Sequence, residues 1–168
     1  MSYQEKRSIV SILSGIVLLA AYCLYTIGKY QKGLVVPGDL KFWATTILVF
    51  IGIGIVAFIV IQIVFHIMLS ISIAVSKAVK DGNYDDKEIE KAIKVDMVED
   101  EMDKMIELKS LRFGFAVAGF GFIGGLVALI LNYSAVVMLN IIFISFSVGS
   151  ILEGFVKIYY YRRGLNHG

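Results

Sequence analysis

Residues 42–76, FWATTILVFIGIGIVAFIVIQIVFHIMLSISIAVS, form a run of 35 residues without Asp, Glu, Lys or Arg. Two further runs, 8–28 and 113–152, hold 21 and 40 such residues, so that 96 of 168 residues lie in charge-free stretches. A helix of this length in water needs a charged outer face, whereas an ionised side chain at a bilayer centre costs about 3 kcal/mol or more. The pattern predicts an all-α polytopic membrane protein with most of its chain solvated by lipid.

Composition points the same way. Hydrophobic residues are 58% of the chain and charged residues 18%, the reverse of a disordered tail. A net charge of +2 is too small to indicate direct nucleic-acid binding. Cys23 is the single cysteine and forms no intrachain disulfide. Lys6 and Arg7 precede the apolar stretch Ile9 to Ala21 in the manner of an export signal. However, no small-x-small cleavage site precedes Tyr25, and bulky Tyr22 stands before Cys23, so the segment reads as a retained helix.

The run 113–152 would be about 60 Å long as one helix, twice the roughly 30 Å hydrocarbon thickness. It must turn, and Asn132-Tyr133-Ser134 is the polar cluster near its middle. Four spans follow, at about 9–27, 43–68 with an extension to 76, 113–131 and 135–158, with a cytoplasmic segment at 77–112. An even number puts both termini on one side. Thirteen Lys and Arg residues fall on that side and in the central segment, against Lys29, Lys32 and Lys41 on the other, so both ends are expected to face the cytoplasm across a cell membrane. The second span reaches across the hydrocarbon by about Phe65. Ser70, Ser72 and Ser76 suggest that its last turns leave the lipid, with strong tilt as the competing explanation.

Residues 77–112 carry 11 of the 14 acids and half of the 16 bases. Asp81-Gly82-Asn83 is a turn signal, and Asp85 or Asp86 can cap a following amphipathic helix. Ile89, Ile93 and Met97 form one apolar row, and Val98, Met102, Met105 and Ile106 continue it after a shift of one position. The shift predicts a bend or short break at Glu99-Asp100-Glu101. Asp96, Asp100, Asp103 and Glu107 recur at three- and four-residue steps, opposite Val98, Met102 and Met105. The preferred reading makes these acids the wetted side of a helix whose methionines rest on the bundle. The sharper reading makes acids and methionines a partner-binding surface. A divalent-cation site is disfavoured, because hard cations draw ligands from loops and carbonyls, and no metal or cofactor is expected.

The run Asp100-Glu101-Met102-Asp103-Lys104-Met105-Ile106-Glu107-Leu108-Lys109-Ser110-Leu111-Arg112 before an apolar span resembles the Asp-Glu-x-Asp-x-x-Ile-Glu-x-Lys-x-x-Arg segment of small four-span prokaryotic integral membrane proteins of uncharacterised function. The Met-Ser-Tyr-Gln-Glu-Lys-Arg opening is similar to members of that group too. The resemblance implies a four-helix membrane domain without a particular activity or cofactor. Some of those proteins are encoded beside small DNA-binding regulators, which implies a membrane partner of a regulator.

Gly114, Ala118, Gly121, Gly125 and Ala128 place a strip of nearly bare backbone down the third span, and Ser147, Ser150 and Gly154 give the fourth a similar face. In lipid, small residues let helices approach closely. Packing between these two neighbours is the expected use, with a homo-oligomer interface as the alternative. Glu153 is the single acid within a span, one turn before Lys157. It reads either as a proton or cation site or, by preference, as a local pair snorkelling to the inner interface. Gln62, His66 and Asn140 are neutral polar groups able to bond across helices.

No nucleophile with a paired base is visible, so an enzyme is not expected. The sequence favours a non-enzymatic membrane protein that partners or regulates another protein through its charged cytoplasmic segment. A small transporter or channel subunit using Glu153, His66 and Gln62 is the alternative. The charge asymmetry has a direct test: fluorescent reporters that mature in the cytoplasm should be bright at either terminus and dark when inserted at Asn132, and a bright insertion would reverse the topology.

Overall fold

The computed structural model describes residues 3–34, 38–81 and 100–164. These form four helices, α1 Tyr3–Gln31, α2 Leu40–Asp81, α3 Glu101–Ile130 and α4 Ala135–Arg163, each containing a stretch long and apolar enough to cross a membrane. The protein is therefore an all-α, multi-pass membrane protein. Asp96, Met97, Val98 and the turn and cap expected at 81–86 fall wholly or partly outside the described residues, as does the expected helix over 86–99.

The helix ends follow from local chemistry. Asn132 takes a left-handed backbone at φ 64°, and the amides of Tyr133 and Asn132 donate back to the carbonyls of Ala128 and Leu129, each at 3.0 Å. These bonds satisfy carbonyls that lipid would leave orphaned, and they fold α4 directly back on α3. Gly33, at φ 65°, closes α1 in the same way. At the start of α3, Asp100 is extended at φ −85° and ψ 177°. Its carboxylate accepts from the Asp103 amide at 2.7 Å, and the Asp103 carboxylate accepts from the Asp100 amide at 3.1 Å. This reciprocal cap starts α3 at Glu101, inside the segment Glu99-Asp100-Glu101 where a bend or break is expected, and the residues just before Asp100 lie outside the described ones.

α3 and α4 form the closest pair, α1 packs on α4, and α2 lies against α1 and α4. Gly114, Ala118, Gly121, Gly125 and Ala128 are all buried. A Cβ at Gly149 would lie 2.6 Å from the Gly114 carbonyl oxygen, and one at Gly121 would overlap Ser145. The α4 positions that meet this strip are thus Ser145 and Gly149. Gly154 packs instead on Ile12 of α1, Ser147 is half-buried with its hydroxyl on the Phe143 carbonyl at 2.9 Å, and Ser150 is exposed. The reason is helical phase: Gly149 and Gly154 are five residues, about 500°, apart, so one α4 helix presents small residues to two neighbours.

In the half of the bundle remote from the termini, Tyr22 is buried against Phe143 and Phe50, with ring centroids at 4.5 and 5.3 Å. Its hydroxyl donates to Asn140 Oδ1 at 2.6 Å, and Asn140 Nδ2 donates to the Val136 carbonyl at 2.8 Å. α2 is mostly exposed apolar surface, as a helix facing lipid should be. Its level is set by Tyr3, at the beginning of α1, whose ring lies 5.8 Å from Phe65 and 6.4 Å from His66. The last turns of α2 therefore run beyond the start of α1.

The glycine contacts differ enough to predict separate outcomes. Gly149→Ala should destabilise the bundle by about 1–3 kcal/mol, because the clash is with backbone. Gly119→Ala, where a Cβ meets nothing within 4 Å, should be neutral or slightly stabilising. Denaturation in mixed micelles measures both.

Candidate functional site: a polar cavity at the end that carries both termini

The α3–α4 contact determines what lies at the terminal end of the bundle. Stepping back from Gly114 by four, three and four residues reaches Ser110, Glu107 and Asp103, so all share the face turned toward the bundle. Ser110 and Ile106 are fully buried. Glu153 stands one turn beyond Gly149, and a Cβ at Gly114 would come within 3.2 Å of its Oε2 atom. Bare backbone at Gly114 makes room for that carboxylate.

Here the four helices enclose a cavity of about 220 Å³. From α3 and α4 it receives Asp103, Glu107, Ser150, Glu153 and Lys157. From α1 and α2 come Gln4, Arg7, Ser8, Ser11 and Gln62, with Phe58 as the main apolar wall. Lys157 Nζ is 2.8 Å from Glu153 Oε1 and 3.5 Å from Glu107 Oε1, so one ammonium ties α4 to α3. Arg7 Nε donates to Gln62 Oε1 at 3.2 Å, tying α1 to α2. Arg162 and Glu5 approach to 3.8 Å at the outer rim.

The residues singled out from sequence are therefore divided. Gln62, Glu153, Lys157, Asp103 and Glu107 share the cavity, although three different helices carry them. His66 does not: one turn past Gln62, it meets the edge of Tyr3 at the end of α1. Asp100 is consumed by the helix cap. Met102 and Met105 are 46% and 43% exposed, and Leu108 is 60% exposed. Met102 and Met105 are thus not covered by the bundle, while Asp103 and Glu107 border the cavity with Glu107 still 53% exposed. The glycine strip fixes the rotation of α3, and Lys157 offers the inward carboxylates a partner.

Gln4, Arg7 and the serines of α1 were not recognisable as site residues, since the opening of the chain reads as an interfacial anchor. Asp103 and Glu107 were legible in principle, because the three- and four-residue steps of the small strip continue through them. Among the described residues no group of His, Cys, Asp or Glu is arranged to hold a metal ion. Comparison of the chain with protein-family models, with curated proteins and with solved structures gave no match.

The two ion pairs of Lys157 should differ in worth. Glu107 is 53% exposed against 19% for Glu153, and exposed pairs are screened. Double-mutant cycles should give a Glu107–Lys157 coupling of about 0.5 kcal/mol or less and a larger value for Glu153–Lys157.

Proposed function

We propose that this chain is a non-enzymatic membrane protein that partners or regulates another protein at its cytoplasmic end, with both termini and the 77–112 segment facing the cytoplasm across a cell membrane. The supporting observation is the exposed row of Met102, Met105 and Leu108. It lies on the part of α3 that precedes the charge-free run beginning at Phe113, where about 19 residues suffice to cross the hydrocarbon. An apolar row outside the lipid is a surface that another protein covers. Methionines adapt to the shape of a partner helix. Glu101, Lys109 and Arg112 share that face, so the partner surface that fits is apolar with charges of both signs at its edge. The chain's resemblance to four-span proteins encoded beside small regulators agrees with this reading.

A second reading, a small transporter or channel subunit, draws support from Gln62 and Glu153 sharing one cavity. The buried Tyr22–Asn140 layer stands against an open path through the bundle. Proteoliposome flux that responds to Glu153→Gln separates the two readings.

Photo-crosslinking groups at Met105 and Leu108 in native membranes should capture the same protein, and one at buried Ile106 should not. Met105→Glu should reduce that capture at least tenfold. If deletion of residues 86–104 leaves every captured or co-purified partner in place, the partner reading fails.

A further inference from the structure

The cavity is unusual in how its polar groups are sorted. On the α1–α2 side, Gln62 presents its carbonyl oxygen to Arg7, a group that can only donate, so the orientation of the amide is determined and its N–H2 lies on the other side. That Nε2 atom is buried without a hydrogen-bond partner among the described residues. The same holds for Nε2 of Gln4, a residue only 9% exposed that also lines the cavity. Two buried amide donors on one cavity wall require acceptors, because a buried unsatisfied donor is costly. On the α3–α4 side the imbalance is opposite. Asp103, Glu107 and Glu153 face the one ammonium of Lys157, which lies 2.8 Å from Glu153 and only 3.5 Å from Glu107. That wall therefore has surplus acceptor capacity and surplus negative charge.

The geometry points to this cavity as the binding site of a small zwitterion, with its anionic oxygens on Gln4, Gln62 and Arg7 and its ammonium on Asp103 and Glu107, the carboxylates that Lys157 holds least. At about 30 Å³ per water-sized unit, 220 Å³ accommodates roughly seven non-hydrogen atoms, the size of a small solute or a lipid headgroup. A free α-amino acid and the ethanolamine-phosphate headgroup of a lipid share this chemistry. The inference is independent of the partner-docking row, because Met102, Met105 and Leu108 do not line the cavity.

The test uses the full chain. Calorimetry in detergent compares L-alanine with acetate and with methylammonium, the two halves of a zwitterion. Native mass spectrometry from nanodiscs compares retention of phosphatidylethanolamine with that of phosphatidylcholine, whose quaternary ammonium has no N–H to donate. Either alanine should bind at least tenfold more tightly than each half, identifying a free solute, or phosphatidylethanolamine should be retained over phosphatidylcholine, identifying a lipid headgroup. Gln62→Leu and Glu107→Gln should each weaken the observed binding at least tenfold with helicity unchanged, and Met105→Glu should leave it as it was. The proposal is overturned if neither zwitterion exceeds its control. It is also overturned if both folded cavity variants bind like the original chain. The comparison of whole and half ligands needs no variant, so a substitution that fails to fold does not protect the idea.

Discussion

The backbone of α3 touches the backbone of α4 at Gly114 and Gly149, and most of what is distinctive in this protein depends on that approach. In a bilayer, exclusion from water does not drive helices together, so association comes from close packing and from the few polar bonds available. Two helices joined at Asn132 and lined by bare backbone meet this requirement over their whole length. The same contact fixes the rotation of α3 about its axis. Rotation, in turn, decides which of the charged residues before Phe113 face the bundle and which face outward.

That rotation produces a functional polarity along the molecule. One end is dry and closed, with Tyr22 held between Phe143, Phe50 and Asn140. The other end is hollow and polar, with carboxylates from α3 and α4 facing amides and a guanidinium from α1 and α2. Serine and threonine hydroxyls along the spans are absorbed by their own helices: Ser14 bonds the Val10 carbonyl at 2.7 Å and Thr26 that of Tyr22 at 2.8 Å. These hydroxyls are satisfied without leaving their helix. Apart from the Tyr22–Asn140 bond, the side-chain hydrogen bonds and ion pairs described between helices lie at the end that carries the termini.

The exposed side of α3 has a complementary character. A carboxylate line and a methionine row on one amphipathic helix are interchangeable from sequence alone, since either can face the bundle. With Glu107 paired to Lys157 and Asp103 beside the cavity, Met102 and Met105 are left on the outer side. The outward row and the inward cavity are thus two consequences of one packing event, and they offer separate surfaces to separate ligands.

Charge-free runs by themselves determined the number of helices, their approximate limits and the hairpin at Asn132, because an ionised group in hydrocarbon is expensive wherever the helices lie relative to one another. The small-residue strip likewise announced the α3–α4 pair. Tertiary structure alone decided which polar residues meet. The Glu153–Lys157 pair was legible from its four-residue spacing, but Gln4 and Arg7, Gln62 and Glu107 come from three other helices, so nothing local could bring them to it. Their convergence depends on the relative rotation and level of whole helices, and those are set by contacts such as Gly114 with Gly149 and Gly154 with Ile12, at which a single methyl group would hold the backbones apart.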